Sequence, residues 1–108
     1  MTKEQIDKYL KANAKDELAS AAQAFYDLGV KYNIDPAFAV AVAMHESAAG
    51  SNKAAQSAHN YFGILSKGKL VRFSSISANI EAFYKLIKNK YVNTLGRYTP
   101  EAITCWKD

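Results

Sequence analysis

The sequence predicts a mostly helical α+β domain with one small β-hairpin, and three observations carry that expectation. Apolar residues recur at helical spacing along most of the chain, helix-start residues stand ahead of several of these stretches, and one pair of β-prone runs flanks Ser66-Lys67-Gly68-Lys69. Thr2 and Gln5 have the spacing of a capping box, and Ile6, Tyr9 and Leu10 follow on one face, giving a first helix to about Asn13. From Asp16, the positions Leu18, Ala22, Phe25, Tyr26 and Leu28 keep the same period, so a second amphipathic helix is expected, loosening at Gly29 before Tyr32 to Ile34. Asp35 supplies an N-cap and Pro36 a preset first helical residue. Ala37 to Met44 is apolar all round, which predicts a buried central helix ending at Gly50. Ser51 to Asn60 is small and polar and reads as a loop with a turn of helix. Tyr61 to Leu65 and Leu70 to Phe73 form the hairpin strands. Ser75 or Ser77 caps a further helix with Ile80, Phe83, Tyr84, Ile87 and Tyr91 on one face and Lys85, Lys88 and Lys90 on the other. Thr99-Pro100-Glu101 opens a last helix carrying Ile103 and Trp106. The cleft of such a plan lies between the hairpin and the helices.

The chain has 108 residues, 49% hydrophobic and 22% charged, which suits one soluble globular domain with a real core and rules out a disordered or fibrous chain. Its longest apolar run, Pro36 to Met44, is far short of a bilayer span, and Lys3, Glu4, Asp7 and Lys8 replace an apolar leader. Cys105 is the single cysteine, so no internal disulfide or Cys-rich zinc module is expected. Charge is uneven. Residues 1–35 carry five basic and six acidic side chains, whereas residues 52–108 carry nine basic and three acidic ones, so the second half suits a polyanionic partner. Nucleic acid, an anionic membrane surface and an acidic cell-wall polymer all meet that description.

Between Asp35 and Glu81 the only acidic residue is Glu46, in the last turn of the most apolar helix. Burial there, with the negative end of the helix dipole, favours a protonated carboxyl, which is what a general acid needs. The competing reading is a helix-end glutamate that points into water. His45-Glu46 does not continue into a zinc motif, because the fourth residue after His45 is Ala49; His59 alone cannot complete a site, so no metal or other cofactor is expected. Cys105 beside Trp106 reads as packing, and no glycine-rich phosphate loop is present. Among the aromatic residues, Tyr61, Tyr91 and Tyr98 are candidates for stacking on sugar rings along a cleft wall, with Tyr91 equally able to continue the core stripe of Ile80, Tyr84 and Ile87.

Asp35-Pro36 leads into His45-Glu46-Ser47, then Gly50-Ser51, then Asn60-Tyr61-Phe62-Gly63-Ile64, Phe83 to Tyr91, Gly96-Arg97 and Thr99-Pro100-Glu101-Ala102-Ile103. This series resembles the lysozyme-superfamily glucosaminidase domains of bacterial and phage peptidoglycan-degrading enzymes, over most of the chain after residue 30. The resemblance implies a lysozyme-like fold spanning residues 1–108 as one catalytic domain, with the hairpin beside the active-site cleft. It also implies that Glu46 is the catalytic acid and that Ser47, Asn60, Tyr61 and Phe62 lie near the glycan, with Tyr91 or Tyr98 across from the acid. Two departures stand out. Ala48 and Ala49 replace the glycine and tryptophan of the usual Glu-Ser-Gly-Trp-Gly, and the chain stops soon after its Thr-Pro-Glu motif, as a piece of a longer protein would.

Two-carboxylate glycosidases place the second group at about 5 Å for retention or about 6.5–9.5 Å for inversion. The stretch Phe62 to Phe73 has no acid, and Glu81 is the nearest candidate in sequence. A single acid suffices where the substrate's acetamido oxygen or muramic hydroxyl is the nucleophile, as in substrate-assisted glycosidases or lytic transglycosylases. The expected activity is therefore cleavage of peptidoglycan glycan strands, as an N-acetylglucosaminidase or a lytic transglycosylase or muramidase. A catalytically weak wall-binding module is one alternative, and a basic nucleic-acid-binding helical domain is another. On the enzyme reading the chain is a monomer that acts in the cell wall, without nucleic acid or membrane insertion, borne by a phage or mobile element or cut from a secreted protein.

Overall fold

The computed structural model describes residues 1–89. Tyr91, Tyr98, Cys105 and the helix expected after Thr99 lie outside the described residues.

Helix α1 spans Lys3–Asn13, and its capping box forms as the spacing predicts: Thr2 Oγ1 accepts from Gln5 N at 3.1 Å, and Gln5 Oε1 accepts from Thr2 N at 2.9 Å. Its buried residues Ile6 and Leu10 are four apart and share a face. The second helix begins later than expected. Asp16 has a φ of 57°, a left-handed value that cannot start an α-helix, so Asp16–Ser20 forms a 3-10 turn and α2 runs only from Ala22 to Tyr32. Leu18 of that turn is fully buried and still serves the core.

Helix α3, Pro36–Glu46, starts as predicted, with Asp35 Oδ1 accepting from Ala37 N at 2.9 Å. It stops at Glu46, not at Gly50, and it is not buried all round. Only Ala39, Val40 and Ala43 are buried, while Ala41 is exposed and Phe38, Val42 and Met44 are intermediate. An apolar circumference therefore contributes one fully packed stripe. Helix α4 is the six-residue Lys53–Ala58. Strands β1, Leu65–Ser66, and β2, Lys69–Leu70, pair antiparallel around Lys67 and Gly68, whose φ values of 52° and 76° are those of a type I′ turn. The strands are shorter than the β-prone runs because Tyr61 and Phe62 turn into the core. Helix α5, Ile76–Ile87, is capped by Ser75, whose hydroxyl accepts from Ala78 N at 3.1 Å.

The core is organised around aromatic rings. Phe62 stacks on Phe83 at 4.1 Å and 9°, and Phe25 meets Phe62 edge-on at 6.3 Å. Helices α2 and α5 close tightly: Tyr84 donates to Phe25 O at 2.8 Å, and Tyr32 stacks on Tyr84 at 6.2 Å. Among the described residues, no helix is long and apolar enough to cross a membrane.

Gly29 permits that closeness, since a Cβ there would stand 2.8 Å from Ile34 O and 3.3 Å from both Pro36 Cδ and the Tyr84 hydroxyl. Gly29→Ala should destabilise the fold by about 1–3 kcal/mol, read as a lower urea midpoint with an unchanged slope.

Candidate active site

The buried stripe of α3 continues from Ala39 and Ala43 into Ser47, which is fully buried, and this places Glu46 at the stripe's edge, half-buried. Directly after it the chain reverses. Ser47 Oγ donates to Ala43 O at 2.7 Å and accepts from Gly50 N at 2.9 Å, while Ala49 N donates to Met44 O at 2.8 Å. The backbone passes through three successive left-handed residues, Ala48, Ala49 and Gly50, with φ of 51°, 58° and 86°. Each alanine costs about 1–2 kcal/mol in that region. Gly50 has no substitute: a Cβ would lie 2.5 Å from Lys15 O. Lys15 N donates to Ala49 O at 2.8 Å, so the turn is also docked on the segment after α1.

Helix α4 joins this turn to the hairpin. Gln56 Nε2 donates to Gly50 O at 2.9 Å, and Asn52 Oδ1 caps α4 by accepting from Ala55 N at 2.9 Å. Beyond α4, the Asn60 amide donates to Ile64 O at 3.0 Å and Val71 O at 2.8 Å, and its oxygen accepts from Ile64 N at 3.1 Å. One side chain thus clamps both strands at their base. Arg72 donates to Ser57 O at 3.0 Å and Phe73 N to Ala58 O at 2.8 Å, tying the returning strand to α4. Glu46, its turn, α4 and the hairpin are consecutive members of one hydrogen-bonded unit.

A glucosaminidase family model, described as mannosyl-glycoprotein endo-beta-N-acetylglucosaminidase, matches residues 22–107. The chain belongs to the glucosaminidase family. The family is one of lysozyme-like peptidoglycan hydrolases, and a mostly helical chain with one two-stranded hairpin fits that fold. Neither a curated protein nor a solved structure matches the chain. The match takes in α2 to α5 and Glu46, and begins after Asp16 and Glu17.

Within this chain the residues expected near substrate occupy unequal positions. Ser47, Asn60, Tyr61 and Phe62 are all buried, at 2% exposure or less, and their polar atoms or rings are spent on internal partners. Tyr61 is no open stacking platform. Its hydroxyl lies 2.8 Å from Glu17 Oε2 and 3.0 Å from Asp16 Oδ2, and its N donates to Asn79 Oδ1 at 2.9 Å. Burial first, then the two carboxylates, pushes its phenol well above the ordinary value. These four side chains hold the site's scaffold in place, and among the described expected residues only Glu46 is not buried. Tyr91 and Tyr98 fall outside the described residues.

Sequence reading missed the polar cluster that receives Tyr61. His59 Nδ1 lies 2.6 Å from Glu17 Oε2, the oxygen that Tyr61 also approaches, so His59, weighed in the sequence as a metal ligand, pairs with a carboxylate. No motif links residues 16 and 17 to residues 59 and 61; the connection exists only in three dimensions. Glu81 is committed elsewhere too, accepting from Lys31 at 2.8 Å and from Tyr32 at 2.7 Å. The hydrogen bond from Lys31, then that from Tyr32, holds its carboxyl below the usual range.

Two outcomes follow. Ala48→Gly should raise stability by about 1 kcal/mol in thermal or urea unfolding, because it relieves left-handed strain minus the entropy glycine adds to the unfolded chain. Because the folded Glu81 carboxyl titrates below its unfolded value, its contribution is present above the ordinary carboxylate range and is lost as pH falls through the depressed value. The difference in melting temperature between wild type and Glu81→Gln should therefore be visible at neutral pH and close on acidification; a difference constant with pH would contradict it.

Proposed function

We propose that this member of the glucosaminidase family cleaves the glycan strands of bacterial peptidoglycan, with Glu46 as general acid and then general base. One observation carries the assignment: Glu46 is the half-buried carboxyl at the end of α3, followed by a rigid turn that is hydrogen-bonded through α4 to the hairpin. A carboxyl held at the edge of a buried stripe, beside a fixed turn, is positioned to serve as a proton donor. Its proton goes to the leaving glycosidic oxygen as the bond to the anomeric carbon breaks.

The nucleophile comes from the substrate on this reading. Asp16 and Glu17 accept from Tyr61, and Glu81 is held by Lys31 and Tyr32, which supports a mechanism with one protein acid. In the hydrolytic form the acetamido oxygen closes onto the anomeric carbon, and Glu46 then removes a proton from the water that opens the ring. In the transglycosylase form Glu46 removes the proton of the muramic 6-hydroxyl, which closes an anhydro ring. The glucosaminidase wording of the matched family favours hydrolysis after N-acetylglucosamine. Action in the cell wall follows from that substrate.

A second reading, a wall-binding module with weakened catalysis, is favoured by Ala48 and Ala49 standing where the family pattern has glycine and tryptophan. Turnover separates the two. Glu46→Gln should retain the wild-type circular dichroism spectrum and melting temperature while release of soluble muropeptides from purified cell walls falls by at least about a hundredfold. Retained release contradicts the assignment, and wild-type protein that binds walls without release supports the module. Masses of the released ends distinguish reducing N-acetylglucosamine from reducing or anhydro-muramic ends.

A further inference from the structure

From Ser47 to Ile80 the chain has no acidic residue, while Lys53, Lys67, Lys69 and Arg72 fall within it. Three of these four cations lie on the hairpin or directly after it. The register sets Leu65 opposite Leu70 and Ser66 opposite Lys69, so the two leucines share one face of the ribbon. Both are exposed, at 46% and 38%. The ribbon that presents them is pre-shaped: the Asn60 amide clamps its base, Val71 N donates to Ile64 O at 3.0 Å, and Arg72 is fixed on Ser57 O. Such a rigid surface loses little freedom when a ligand covers it.

We infer that this hairpin binds the peptide stems of the peptidoglycan strand, an inference that rests on the peptidoglycan reading above. Charge complementarity and continuity with the Glu46 turn argue for this occupant. Peptide stems carry carboxylates and alanine methyl groups along one chain. Leu65 with Leu70 covers the methyl groups on one face of the ribbon, and the stem's carboxylates pass over the tip to Lys67 and to Lys69, which the register sets on the opposite face with Ser66. A hydrogen-bonded path runs from the hairpin through α4 to Gly50, so the surface that would hold a stem is fixed in position relative to the end of α3.

The test compares soluble glycan strands that bear stems with strands stripped by an amidase, whose hydrolysis of the lactyl–alanine amide frees a lactyl carboxylate on each muramic residue, so that both kinds of strand are anionic and only one carries the stem. Binding is titrated with Glu46→Gln protein to keep strands intact. Stem-bearing strands should bind about tenfold tighter than stripped ones at low salt, with the preference shrinking as salt rises. Combining Lys67→Gln with Lys69→Gln, or Leu65→Ser with Leu70→Ser, should bring the ratio of the two affinities toward one, with circular dichroism unchanged because all four positions are exposed. Equal affinities in the unmodified hairpin, or a ratio insensitive to both double variants, overturns the inference. None of these results bears on Glu46, which is judged by turnover; conversely, loss of the turnover assignment leaves the affinity ratio readable.

Discussion

A buried serine hydroxyl ends α3 one residue after Glu46, and the geometry of the site depends on it. By bonding Ala43 O and Gly50 N together, Ser47 turns the chain into left-handed territory for three residues and delivers Gly50 against Lys15. The backbone is held in an expensive conformation because partners on several sides demand it: Met44 O, Lys15 N and the Gln56 amide all bond to this turn. Strain that persists next to a half-buried carboxyl is of the kind that functional sites retain. A looser helix end would leave the carboxyl free to swing toward water.

The second constraint is the depth to which the segment before the hairpin is drawn in. Phe62 stacks on Phe83, Tyr61 reaches two carboxylates beyond the 3-10 turn, and Asn60 between α4 and these aromatics spends its amide on both strands. Elements distant in sequence thus share their supports. The hairpin has only two residues per strand, far too little to be stable alone, so its shape is imposed from the base. That arrangement leaves the ribbon's exposed side chains available for contact with a ligand: the leucines on one face, Lys69 on the other and Lys67 at the tip.

Elements whose signals are local were legible in the sequence. The Thr2 and Gln5 box, the Asp35-Pro36 start, the Ser75 cap and the Lys67-Gly68 turn each depend on residues within four positions, and each formed where its pattern lay. What the sequence concealed depends on distant partners. The break before α2 comes from a left-handed Asp16 whose carboxylate faces Tyr61, 45 residues away. The burial of Tyr61 and Phe62 arises because their rings complete a core supplied by α2 and α5, which no turn motif announces. The half-exposure of α3 reflects how much surface its neighbours cover, and composition alone does not contain that. Glu46 stood out for a reason that needs no partner: it is the one acid in a long apolar and basic stretch, and helical periodicity puts it beside the buried stripe.

The most direct test of the central claim is a crystal structure of the Glu46→Gln protein with a peptidoglycan tetrasaccharide bound. The account predicts the side chain at position 46 within about 2.6–3.2 Å of the glycosidic oxygen of one internal linkage, the reach of a proton donor. A glycan seated elsewhere on the molecule, or one whose glycosidic oxygens all lie beyond hydrogen-bonding distance of that side chain, would contradict it.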